Sequence, residues 1–413
     1  MKATRFLLQT VVIVLIATCY GGKCLPLSVA AQKPTTSTKV ASIPLEFGGE
    51  NYVLLKARIN DFEPMTFILD SGGGSGLVLY HHAAQALQLK GAGKGKGGGA
   101  GEGTFETTSV KGVSLSLPGV TMNNQTFVVF PKESSSSTFG PVDGVIGYSL
   151  FNRYVVEIDY QSKVVNLYEP SSYQYTGTGE SIPIEILSKV PFVRVQIPLA
   201  GSKPLEGRFI VDSGAGRFTL ILNTPVVNEN NLIAVAQKTI TEPGASGVGG
   251  EVKLIVARWP SLQLGHLTLT DPVIHFAQDR KGAFASSDFN GVIGGELLRR
   301  FTVILDYAHK RMILEANAGF KDRFDYDMSG MRLRAEGQDF KQLKLVRVVE
   351  NSPALEAGLR EGDLISAIDG RPAAELSLTE VARLFKQEGR EYVLDIVRGE
   401  EKKQVKLKLR RLI

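Results

Sequence analysis

The 413-residue sequence has only two cysteines, Cys19 and Cys24, both near its start. If that stretch is removed, the remaining chain has no thiol, which excludes disulfides, thiolate metal sites and a cysteine nucleophile. Charge of one sign is also lacking. Lys and Arg number 47 against 42 Asp and Glu, and Lys2, Arg5 and Lys23 lie in a stretch of 31 residues that has no acid. The rest is nearly balanced, which gives no support to nucleic-acid binding. The five histidines (His81, His82, His266, His275, His309) form no His-Glu-x-x-His motif. His81 and His82, being adjacent, do not share a helical face. Ser75 and Ser246 lack the glycine two positions on that a nucleophile elbow needs. Gly93 to Gly98 spells a formal GxGxxG, but it follows a helix signal rather than a strand and reads as a flexible loop, not a nucleotide site. Neither a metal nor a cofactor is expected.

After Phe6–Thr18 no segment is long and apolar enough to span a bilayer. Lys2 and Arg5 precede that short apolar run, and Val29-Ala30-Ala31 offers small residues for cleavage, so residues 1–31 read as a signal peptide and 32–41 as a polar linker. The expectation is an exported protein, periplasmic or secreted, with membrane attachment only if the N-terminal segment is retained or lipidated.

The sequence then repeats itself. Phe67-Ile68-Leu69-Asp70-Ser71-Gly72 returns as Phe209-Ile210-Val211-Asp212-Ser213-Gly214, and Gly144-Val145-Ile146-Gly147 as Gly291-Val292-Ile293-Gly294. Ile43–Glu46 returns as Ile182–Glu185, and Tyr154–Tyr160 as Phe301–Tyr307. Four matches in the same order imply a duplicated, strand-rich unit of domain size, in residues 42–178 and 179–317. Short helix signals follow at His81–Leu89 and at Asn223–Pro225. Asp159 and Asp306 are duplicated too, but each precedes a hairpin turn and reads as a turn residue.

An apolar strand delivering Asp-Ser-Gly, once per unit, can bring two carboxylates together at a pseudo-two-fold axis. Two such groups in contact share a proton and titrate in separate steps. One then serves as general base toward a water, the other as general acid toward the leaving group. Gly72 and Gly214 allow close backbone approach, and Ser71 and Ser213 can tie the loops together.

These paired motifs resemble the retroviral-type bacterial aspartyl proteases over residues 42 to 317. The resemblance implies a mainly β protein with two pseudo-symmetric, acid-protease-like closed barrel lobes, and peptide-bond hydrolysis through an activated water. It implies Asp70 and Asp212 as the catalytic pair, with Ser71, Gly72, Ser213 and Gly214 as loop support. Ile146, Gly147, Ile293 and Gly294 would pack beside the dyad. Substrate-covering flaps are sought in Gly91–Gly103 and Gly244–Gly250.

Residues 318–324 read as a charged linker, and 325–413 change character. Ser352-Pro353-Ala354, Ala357-Gly358-Leu359 and Gly362-Asp363-Leu364-Ile365 are followed by a capping box, Ser377 to Glu380, that opens a helix. This combination resembles the PDZ domain, a small β-barrel with helices. The resemblance implies capture of peptide or protein C-termini by strand addition, with Gly330, Met331, Arg332 and Leu333 as the peptide-binding segment. The sequence thus predicts an exported aspartic endopeptidase acting on polypeptides recruited by a PDZ module. The alternative is a weak or inactive peptide-binding protein or scaffold.

Overall fold

The computed structural model describes residues 37–49, 51–132, 142–199, 201, 203–242, 245–337 and 340–413. The signal-peptide segment lies outside them. Strand Lys39–Gly48 begins inside the stretch read as linker, because Ala41 is buried and pairs with Leu167.

Strands Lys39–Gly48 and Tyr52–Ile59 alternate buried and exposed residues, the signature of a sheet with one wet face. Met65–Leu69 is buried almost throughout, as its unbroken apolar run demands. It runs parallel to Gly144–Ile146, which pairs antiparallel with Leu77–Leu79 on its other side. The second unit repeats the arrangement. Leu205–Val211 lies parallel to Gly291–Ile293, and Leu220–Leu222 runs antiparallel beside it. Gly144 and Gly291 are required there, since a Cβ would overlap the carbonyl oxygens of Val78 and Ile221.

In the first lobe the ring of strands closes where Arg58 meets Ser116 and Ile59 meets Leu115. In the second, Ser261–Leu264 meets Val190–Ile197 at a single pair, Gln196 with Gln263. The lobes are joined by a shared sheet, for Val155–Asp159 pairs antiparallel with Phe301–Asp306. The duplicated hairpins read from sequence therefore pair with one another. Asp159 accepts the N–H groups of Gln161 and Ser162, so it is a turn residue, while Asp306 also holds Arg311 and His309. One apolar core runs through both lobes.

The glycine-rich stretch read as a flexible loop is a strand, Ala92–Gly98, paired with Thr104–Leu117. Side chains of the partner strand cover it. A Cβ on Gly95 would meet Thr107 Oγ1 at 2.7 Å, and one on Gly97 would meet Phe105 at 2.5 Å.

The C-terminal module has its own core and a sheet with Met331–Glu336 at the edge, then Gln342–Val348, Leu364–Ile368, Glu391–Arg398 and Glu401–Lys408. Helix Leu378–Leu384 carries the expected capping box, with Val381 and the following Phe385 buried. The connector before it is docked rather than loose. Phe324 is buried under the Arg300 guanidinium, 3.5 Å from the ring centroid, and Arg300 donates to the carbonyls of Gly319, Asp322 and Arg323.

Candidate active site

The buried strands end at Leu69 and Val211, and Asp70 and Asp212 follow at once. Each aspartate is pinned by its own N–H, which donates to Ile146 O or Ile293 O at 2.9 Å. The apolar-Gly segments of the repeat are thus the floor beneath the two acids. Gly147 and Gly294 turn away tightly there, and a Cβ on Gly147 would stand 2.7 Å from Gly73 O.

The two loops cross. A Cβ on Gly72 would lie 2.5 Å from Asp212 Cγ, and one on Gly214 would lie 2.5 Å from Asp70 Cγ. Only glycine admits the opposite carboxyl. Ser71 N–H donates to Ser213 Oγ and Ser213 N–H to Ser71 Oγ, both at 3.0 Å, and both serines are fully buried. The hydroxyls donate onward to Val211 O at 2.7 Å and Leu69 O at 2.8 Å.

The two carboxyls act directly on each other, and Gly214 N–H donates to Asp212 Oδ1 at 2.7 Å. Burial raises both above the ordinary 3.8, and the charge of Asp70 pushes Asp212 further. Hydrogen bonds from Asp212 and from the N–H groups of Gly73 and Gly72 hold Asp70 back. The pair therefore keeps one proton well above the usual carboxylate range. Asp70 Oδ1 is buried and makes no hydrogen bond among the described residues.

Three buried or largely buried tyrosines that the sequence reading left out lie near enough to feel the charge of the pair. Burial and then Asp70 push Tyr80 up to about 12. Tyr160, from the first repeat, is raised by burial and Asp212. Its counterpart Tyr307 is raised by burial, Asp70 and Asp212. The repeat held Tyr160 and Tyr307 in view, but as markers of a hairpin.

Both flap candidates fall on hairpins, and their tips meet. Gly101 N–H donates to Val248 O at 2.9 Å and Gly103 N–H to Gly249 O at 2.8 Å. The first flap reaches further onto the second lobe, where Gly99 O accepts from Ala283 and Glu102 Oε1 from Arg280 N–H at 3.0 Å. Residue 244 of the second stretch lies outside the described residues.

Gly330 has φ of 77°, and Met331–Leu333 start the edge strand. Ser329 and Gly330 N–H groups donate to Asp327 Oδ1 at 3.0 and 2.8 Å, and Met331 N–H to Ser329 Oγ at 3.0 Å. Gly330–Leu333 and helix Leu378–Leu384 bound a cavity whose other walls include Tyr52, Arg217, Glu242 and His275 of the lobes. Among the described residues no group of three or more His, Cys, Asp or Glu is set to hold a metal ion.

Residues 55–150 match the aspartyl protease family model, a span that includes Asp70 but not Asp212, and residues 345–398 match the PDZ domain model. The chain is 28% identical over 98 residues to the probable CtpA-like serine protease of Staphylococcus haemolyticus (strain JCSC1435). That similarity covers 24% of this chain and only 20% of the relative's length. By these matches the chain carries a retropepsin-like aspartyl protease domain and a C-terminal PDZ domain.

Proposed function

We propose that the protein is an aspartic-type endopeptidase that hydrolyses peptide bonds through a water activated by Asp70 and Asp212, with the PDZ module recruiting polypeptide. The observation that carries this reading is the crossed pair of Asp-Ser-Gly loops, which sets each carboxyl against the glycine of the opposite loop and so brings the two acids together. A water held between the carboxyls loses a proton to the ionised one as it attacks the scissile carbonyl. The protonated carboxyl then gives its proton to the departing amine, and the pair again shares one proton. The buried Asp70 Oδ1, lacking a partner among the described residues, is an acceptor suited to that water.

A serine nucleophile, as the name of the Staphylococcus relative suggests for that protein, does not suit these loops. Ser71 and Ser213 direct their hydroxyl protons at the backbone carbonyls Val211 O and Leu69 O rather than at a carboxylate or an imidazole. Export remains part of the proposal and rests on the character of residues 1–31 alone.

The test offers the full chain an unstructured polypeptide from acidic to neutral pH, beside Asp70→Asn and Asp212→Asn. Each substitution is expected to lower kcat by roughly 10²–10⁴-fold, the scale of a lost general acid or base. Equal cleavage by all three proteins would end the reading. Binding without cleavage by the parent would favour the peptide-binding alternative.

A further inference from the structure

Glu242 stands at the root of the second-lobe flap. Its N–H donates to Leu254 O at 2.8 Å, and Val252 N–H donates to Ala245 O at 3.0 Å to form the neck of the hairpin. The tip beyond, at Val248 and Gly249, is what the first flap grips. The Glu242 side chain is 2% exposed, and three separate elements converge on it. Arg217, five residues beyond Asp212 on the same segment, donates through Nη1 to Oε1. Tyr326, in the coil that continues the connector up to the first PDZ strand at Met331, donates its hydroxyl to Oε2. His275 Nε2 lies 3.6 Å from Oε2, with its ring edge-on to Phe218 at 4.9 Å. At the other root of the flap, Glu251 meets Arg347 of the PDZ module at 3.5 Å.

A carboxylate so enclosed is costly unless its donors are in place, so the group ties together whatever carries those donors. Burial opposes its ionisation, yet Arg217, His275 and Tyr326 outweigh burial and hold its carboxyl below the usual range. The same residues wall the cavity beside Gly330–Leu333 and helix Leu378–Leu384. The catalytic segment, the flap root and the PDZ connector thus share one carboxylate.

We propose that Glu242 is a positioning residue that fastens the second-lobe flap to the PDZ connector through Tyr326, so that the seating of the PDZ module sets how readily the flaps part over Asp70 and Asp212. Its consequence for turnover rests on the endopeptidase reading, but the fastening can be measured without it. Tyr326→Phe removes one donor and leaves Arg217 on Glu242, while Glu242→Gln keeps the shape and removes the charge.

In the full chain, amide exchange at Gly101 and Gly103, the flap-to-flap donors, is the readout. Both variants are expected to speed it about tenfold, with exchange in Val155–Asp159 and Phe301–Asp306 unchanged. KM for an unstructured polypeptide should rise while kcat is kept, and Arg347→Gln should act in the same direction more weakly. Unchanged exchange at Gly101 and Gly103 in Tyr326→Phe overturns the proposal, whether or not Glu242→Gln folds. An equal rise in the shared sheet also overturns it, since Glu242 would then be a general stabiliser. Faster flap exchange in a protein that cleaves nothing would sustain the fastening and remove the endopeptidase reading instead.

Discussion

Ser71 and Ser213 each secure the other's aspartate. The hydroxyl of Ser71 donates to the carbonyl of Val211, the residue before Asp212, and that of Ser213 donates to Leu69, the residue before Asp70. Each oxygen also accepts the other serine's N–H. The relative placement of the two carboxyls is therefore set by four hydrogen bonds within a fully buried square.

Removing one corner should be expensive. Ser71→Ala leaves Ser213 N–H and Val211 O buried and unmatched, so urea unfolding should show a loss of about 2–4 kcal/mol. Ser213→Ala should match it by the pseudo-symmetry. The double variant should cost less than the two singles added, because both singles break the same square. Strict additivity would mean that the serines act independently.

The dyad makes a prediction of opposite sign to ordinary acid denaturation. Both carboxyls are raised in the folded protein by burial, so the fold holds protons that the unfolded chain has released. Their contribution is fully present below the ordinary 3.8 and is lost as pH rises through the folded values. Asp212→Asn removes the like charge without removing bulk, so it should melt higher than the parent. That gap should widen from about pH 4 toward neutrality. Glu242 works the other way. Its carboxyl is lowered, so its contribution is present above the ordinary 4.5 and fades only as pH falls well below it. Melting temperature against pH for the parent, Asp212→Asn and Glu242→Gln separates the two contributions.

Much of this was readable in advance because it is local. Phe-Ile-Leu-Asp-Ser-Gly and Phe-Ile-Val-Asp-Ser-Gly hold strand, loop and acid within six residues each, and Val-Ile-Gly adds the parallel neighbour. The duplication did the rest, since it places like against like. What escaped notice is contact between distant segments. Glu242 sits in Thr241-Glu242-Pro243-Gly244, which reads as a turn, and Tyr326 lies in a charged connector. Nothing in either stretch announces a shared buried carboxylate. The glycine-rich strand Ala92–Gly98 was misread because its own residues carry almost no strand propensity, and its order comes from Phe105 and Thr107 across the ladder.

The flap tips offer a test that leaves the core alone. A Cβ on Gly101 would overlap the backbone of Gly249, which itself has φ of 97°. Gly101 is buried in the contact between the tips, so Gly101→Ala should part them, while global stability shifts by less than about 1 kcal/mol because the clash is relieved by that local opening. Kinetics with an unstructured polypeptide should show KM raised several-fold with kcat less affected. A change in kcat alone would mean that the tips bear on the chemistry rather than on holding substrate.

The PDZ segment has a donor inventory that bears on what it binds. Capture of a terminal carboxylate needs unclaimed N–H groups at the start of the edge strand. Here Asp327 Oδ1 already accepts from the N–H groups of Ser329 and Gly330 and from the Ser329 hydroxyl, and Ser329 Oγ accepts from Met331 N–H. On the proposed reading, a peptide in this groove would be held mainly by the edge of Met331–Glu336 and by apolar contact with the face carrying Leu378, Val381 and Phe385. Capping its C-terminus as an amide should then weaken binding by less than about threefold, which is under 1 kcal/mol. Asp327→Ala should widen the difference between acid and amide by releasing the N–H groups of Ser329 and Gly330 and the Ser329 hydroxyl. Fluorescence anisotropy with paired acid and amide peptides checks both statements. A loss of tenfold or more on amidation of a peptide bound by the parent protein would show that Asp327 does not occupy the carboxylate's place.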